Sequence, residues 1–211
     1  MIWVAISTLA LGFCFSGSIY GQNRKVAGSS KALLELKTTV LEANYCSDSI
    51  LRLTLQLSFQ NTGSIPILLR TDGFRVGRYM VSRSEAHLKA AKYELDVAPM
   101  MNSIGILKYR LEGRAKTEGA GLVTLEPGGT HTATTHVSIP VSDYKKQDSQ
   151  GQLEAGSHLL QVVVWTWLDS EAFAARSRET YHSKGYLWTK SMKSDPIPFD
   201  VTKERVVSPC P

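Results

Sequence analysis

Between Leu51 and Phe59 apolar and polar side chains alternate without a break: Leu51, Leu53, Leu55, Leu57 and Phe59 fall on one side, and Arg52, Thr54, Gln56 and Ser58 on the other. A period of two belongs to a strand with one dry and one wet face, so this segment demands a sheet laid over an apolar layer. The run ends at Asn61-Thr62-Gly63-Ser64, a turn cluster. Ile65-Pro66-Ile67-Leu68-Leu69 then resumes in extended form, with Pro66 suited to an edge or a first position, which predicts two antiparallel strands.

The rest of the chain is punctuated in the same way. Leu34 to Leu41 reads as a less regular strand ahead of Cys46, and Phe74 to Val81 as another; Ser84 to Ala91 reads as a short helix or turn, and Tyr93 to Val97 as a strand stopped by Pro99. Gly105 to Leu111 is expected to be strand and Gly113 to Gly121 a charged loop. Leu125-Glu126-Pro127-Gly128-Gly129 is a turn leading into the threonine-rich stretch from Thr130 to Val141, whose composition favours strand over helix. After a polar loop over Asp143 to Gly156, His158 to Trp167 is the most apolar strand pattern, expected at the centre of a sheet. Ser170 to Lys184 is a helix by its signals, with Ser170 as cap, Glu171 in the first turn and Gly185 at the end. Pro196 to Val201 closes as a last strand. Many short strands between Gly, Pro and Asn turns, with little helix, predict a mainly β protein: an antiparallel immunoglobulin-like β-sandwich with one short helical insertion near the C-terminus.

Three local patterns carry a resemblance. The turn NTGSIPI from Asn61, the LEPGGT approach to the threonine-rich strand from Leu125, and Gly156-Ser157-His158-Leu159-Leu160 ahead of a long hydrophobic strand resemble bacterial exported immunoglobulin-like and fibronectin-III-like β-sandwich domains. The resemblance covers Leu34 to Val201 at the level of fold. His158 stands where such domains usually carry tyrosine, and fold alone confers no function.

Upstream of this domain the chain carries no charged side chain before Arg24, and Ile2 to Phe15 is almost entirely apolar. That length matches the apolar region of a signal peptide, and Ser16, Gly17, Ser18 and Gly21 supply the small residues of a cleavage region. The expected organisation is a signal peptide over 1–21, a flexible segment over 22–31 and a single sandwich domain over 32–211. Export to the periplasm or the extracellular space follows, with no stable membrane span after processing. Two alternatives stay open: a lipoprotein modified at Cys14, for which Phe13 is bulky, and an N-terminal membrane anchor, for which the apolar run is short.

The sequence of 211 residues carries a formal net charge of +5, all of it in the mature part. Such an excess suits a solvated surface or an anionic partner, and export argues against nucleic acid. Cys46 and Cys210, the two cysteines beyond the leader, are expected to pair as a disulfide in an oxidising compartment. Neither sits in a C-x-x-C pattern or has a histidine at ligand spacing.

Chemistry-bearing motifs are sparse. His131 and His136 are five apart on a predicted strand and so face opposite ways, which prevents them from sharing a metal ion. Met100 and Met101 are soft ligands by type but read as loop or core filler. No G-x-S-x-G is present, and Ser191-Met192-Lys193-Ser194 does not match S-x-x-K. No cofactor, metal or catalytic residue is implied, and the expected role is an exported non-catalytic binding or structural envelope domain. The alternative from another class is a hydrolase acting on cell-wall or extracellular polymer. If the domain binds, the segment from Ala174 to Lys193 is the place to look, because cations alternate there with aromatic rings. Arg178, Tyr181, Tyr186, Trp188 and Lys190 are the candidate surface, with a protein or an anionic polysaccharide as partner. Arg70, Arg75, Arg78 and Arg83 form a second basic group, read as a solvated edge that discourages aggregation.

Overall fold

Burial of the apolar face from Leu51 to Phe59 organises the molecule. The computed structural model describes residues 31–71, 75–98, 121–142, 151–167 and 170–210. Its strands are β1 (Leu34–Ser47), β2 (Ile50–Asn61), β3 (Ile67–Arg70), β4 (Arg75–Ser82), β5 (Leu95–Val97), β6 (Leu122–Leu125), β7 (Thr130–Pro140), β8 (Gly156–Trp165), β9 (Tyr186–Leu187), β10 (Met192–Lys193) and β11 (Ile197–Val201). Two helices, α1 (Glu85–Lys89) and α2 (Glu171–Tyr181), complete the described elements. Leu51, Leu53, Leu55, Leu57 and Phe59 are all buried on β2, a burial that contributes on the order of 10 kcal/mol before chain entropy is set against it.

Three sheets share one core. β2 lies between β1 and β7, antiparallel to both. β8 is flanked by β4 on one side and by β10 and β11 on the other, with β5 outside β4, as the apolar pattern of β8 requires of a central strand. β3 runs antiparallel to β6 and parallel to β9. Leu53, Leu55 and Ile139 from the first sheet meet Tyr79, Val81, Leu160, Val162 and Val164 from the second, and Ile67, Leu69 and Leu125 from the third. The chain is therefore mainly β with antiparallel sheets, in the manner of a β-sandwich.

Consecutive strands β2 and β3 do not pair with each other. Asn61, fully buried at their junction, diverts the chain. Its amide nitrogen donates to the carbonyls of Ile65 (2.9 Å) and Leu125 (2.8 Å), and its side-chain oxygen accepts from Gly63 N–H (2.9 Å). Its backbone N–H donates to Gly129 O (2.9 Å), and its carbonyl accepts from Gly128 N–H (2.8 Å). One side chain thus ties the β2–β3 turn to the β6–β7 turn.

Several boundaries move. β1 continues through Cys46 with a bulge between Val40 and Glu42, well past Leu41. α2 stops at Tyr181, three residues before Lys184, and β9 and β10 are two-residue strands that periodicity does not announce. Arg70 is not on a solvated edge: it is 3% exposed, with its guanidinium 5.4 Å from the centre of the Trp167 ring. Arg78 and Arg83 are half-exposed and ion-paired with Asp96 and Glu94.

Cys46 and Cys210 form a disulfide with Cα atoms 5.1 Å apart. The leader over 1–21, Cys14, nearly all of the segment 22–31, Met100, Met101, the strand expected over 105–111 and the loop up to residue 120 lie outside the described residues. Among the described residues no helix is long and apolar enough to cross a membrane.

Candidate functional site

The chain leaves the second sheet at the end of β8 and regains it at β10 and then β11, and the described part of the connection, from residue 170, is folded. Ser170 starts α2 by accepting from Phe173 N–H (3.3 Å). Phe173 stacks on Trp167 with ring centres 5.8 Å apart, while Arg176 lies 6.0 Å from the Phe173 ring. Arg70 in turn lies 5.4 Å from the Trp167 ring, so each of the two stacked rings has a cation against it. Each cation–ring step is worth about 0.5 to 2 kcal/mol by its desolvation, and the group fixes α2 against the sheet end.

Gly185 brings the connection back. Its φ of +142° is open to glycine, and a Cβ there would stand 2.7 Å from the Pro66 carbonyl oxygen. That close approach lets β9 add to β3: Tyr186 N–H donates to Pro66 O and Trp188 N–H to Leu68 O, both at 2.9 Å. Arg178 closes the connection on itself, its Nη1 donating to Glu171 Oε1 (2.8 Å) and its Nη2 to Thr189 Oγ1.

The five residues expected from the sequence therefore divide. Arg178 and Tyr186 line one groove of about 570 Å³ together with Ile65, Pro66, His182 and Lys184. Tyr181 does not line the groove; its ring lies 5.9 Å from the Lys184 ammonium, which does. Trp188 packs partly against the core, meets the Tyr186 ring edge-on at 6.2 Å and donates from Nε1 to Lys190 O (2.9 Å). Lys190 has an exposed side chain, while its carbonyl also accepts from Thr166 Oγ1 (3.2 Å). Ile65, Pro66 and His182 were not legible as site residues. The first two come from a turn far away in sequence, and no local pattern couples that turn to α2. The groove is lined mainly by apolar surface, with the Lys184 ammonium beside it and the Arg178 guanidinium already held by Glu171, which suits a largely apolar extended ligand carrying some negative charge.

A second polar cluster closes the opposite end of β8. His158 is 1% exposed; its Nδ1 lies 2.9 Å from Glu94 Oε2 and its Nε2 2.9 Å from the Glu154 carbonyl. Arg83 also donates to Glu94 (2.8 Å). Burial pushes the Glu94 carboxyl up, but hydrogen bonds from Arg83 and His158 and their charges outweigh it and hold the group below the usual glutamate range. Both ring nitrogens of His158 are engaged, so neither is placed to take a proton from a nucleophile. The cluster locks the start of β8 to the approach to β5. His131 and His136 do face opposite sides of β7, opposite Phe59 and Thr54 of β2 respectively.

No protein-family model matches the sequence, and no curated protein matches it either.

Proposed function

We propose that the chain is an exported, non-catalytic binding domain of immunoglobulin-like or fibronectin-III-like build, and that it recognises a protein or an anionic polysaccharide through the connection between β8 and β11. The strand order supports the finer fold reading: β1, β2 and β7 correspond to strands A, B and E of that architecture, and β4, β8 and β11 to C, F and G. In those terms the groove joins the B–C turn to an enlarged F–G connection, at one end of the sandwich where loops gather. The Cys46–Cys210 disulfide and the apolar leader support export.

The observation that carries the reading is the ordered, aromatic and basic connection itself. Hairpin connections usually take about 2 to 5 residues, and a long connection with its own helix is a common home for recognition. Tyr186→Ala and Lys184→Ala change the groove without touching the core. Both are expected to release the protein from a cell-envelope fraction that retains the wild type, with melting temperatures nearly unchanged. Full retention of both variants would remove the groove from consideration.

A further inference from the structure

The outer face of the sheet formed by β4, β8 and β10 carries an aromatic platform outside the groove just described. Trp165 ends β8 on the face opposite the core and is 36% exposed. Its indole lies over Gly77, where an added Cβ would come within 2.2 Å of Cε2. Gly77 sits at the β4 bulge between Val76 and Arg78, so sequence and strand geometry together let a large ring settle flat onto backbone.

Next to Trp165 on the same face is Val163, and Val163 is paired in register with Arg78 on one side and Lys193 on the other. Arg78 is held by Asp96 through two hydrogen bonds of 2.7 and 2.5 Å, which fixes a planar group of donors and acceptors beside the ring. Lys193 is exposed and makes no ion pair among the described residues. Further along the face, Lys193 and Gln161 line a groove of about 480 Å³ that runs to α1 and also carries Asp195 and the Glu85–Lys89 ion pair, which leaves the charge preference to Lys193 at its near end.

We propose that this face binds an acidic polysaccharide, with Trp165 stacking on a pyranose ring and Lys193 taking the carboxylate of a uronate unit. The polarised C–H groups on one side of a pyranose match the negative face of an indole. The fixed Arg78–Asp96 pair offers ring hydroxyls both a donor and an acceptor, and Lys193, which makes no ion pair among the described residues, favours negative charge over a neutral chain. The polymer is bound and not cleaved. This inference rests on the reading of the chain as a binding domain and assigns recognition to a different face.

Alginate is the probe, with laminarin as a neutral pyranose polymer and polyglutamate as an anionic polymer without pyranose. Isothermal titration or affinity electrophoresis at low salt is expected to show alginate bound at least about tenfold more tightly than either. Trp165→Leu keeps Gly77 covered but removes the π face, and should lose about tenfold in affinity, whereas Trp165→Tyr should stay within about threefold. Lys193→Gln should weaken alginate and flatten its salt dependence while leaving the fold intact by circular dichroism. Equal binding by wild type and Trp165→Leu overturns the proposal, as does no binding to alginate. Polyglutamate binding as well as alginate would reduce the interaction to bulk charge, and laminarin binding as well as alginate would remove the role of Lys193; either result overturns it. Tyr186→Ala is the separating arm: loss there with retention in Trp165→Leu leaves the groove reading standing and ends this one.

Discussion

Asn61 shows how much one side chain can decide. An asparagine offers two donors and an acceptor at one point, and here all three are used in a buried site between two turns. Asn61→Ala would take their side-chain donor from the Ile65 and Leu125 carbonyls and leave the Gly63 N–H only its longer bond to Leu33 O (3.2 Å), at a cost of about 2 kcal/mol or more. Asn61→Asp is expected to be worse by thermal melting, because it adds a buried charge and turns two donors into acceptors. Glu94 poses the complementary question of pH. Its folded carboxyl is held below the ordinary value, so the stability it supplies is present above the unfolded glutamate pKa, about 4.3, and is lost as pH falls through the lower folded value. The melting-temperature gap between wild type and Glu94→Gln should therefore narrow as the pH is taken from 7 towards 3. A gap that stays constant would mean that Arg83 and His158 do not hold the carboxylate in solution.

Among the elements, β2 and β8 were legible because a strand's own pattern reports which face is dry, and both are covered on that face. What the pattern does not report is the neighbour. The same residues that make β2 and β3 look like successive strands say nothing of Asn61 sending β3 to β6, and period two cannot reach β9 or β10, whose two residues each are extended because β3 and β8 pair with them. The candidate surface was half-legible for the same reason: its aromatic and basic composition stands out in sequence, but the Ile65-Pro66 side of the groove depends on a distant turn. Arg70 was misread because charge in a strand suggests solvent, whereas here Trp167 covers the guanidinium. Gly185 connects these levels. Gly185→Ala would meet the Pro66 carbonyl and oppose a positive φ, so β9 should lift from β3 at a cost of about 1 kcal/mol or more. Limited proteolysis should then cut between residues 182 and 190 well before the wild type is cut, with the core strands still protected.

For the whole molecule the two chain ends of the domain are joined at one place. Tyr45 of β1 accepts at its hydroxyl from Thr202 N–H (2.8 Å), and its carbonyl accepts from Ser208 N–H (2.9 Å). Arg205 lies 5.2 Å from the Tyr45 ring and donates to the carbonyls of Asp48 and Ser142 (2.7 Å for the latter), gathering the ends of β1 and β7. The Cys46–Cys210 disulfide adds a covalent link across a sequence separation of 164 to a contact that polar groups already make. In the chain-entropy description so long a loop is worth about 5 kcal/mol, and native disulfides typically deliver about 2 to 4. Replacing both cysteines with serine should accordingly lower the melting temperature by roughly 5 to 15 °C while the far-ultraviolet spectrum of the sheets is retained. The tail should also stay docked, since Tyr45, Thr202 and Arg205 remain. Hydrogen exchange at Ser208 is the sharper readout: continued protection in the double variant means the polar contacts place the tail and the disulfide only secures it, whereas full exchange would make the disulfide the sole anchor. Adding Tyr45→Phe to that variant, which removes the hydroxyl but keeps the ring under Arg205, should loosen the Thr202 N–H while Ser208 stays protected by the Tyr45 carbonyl.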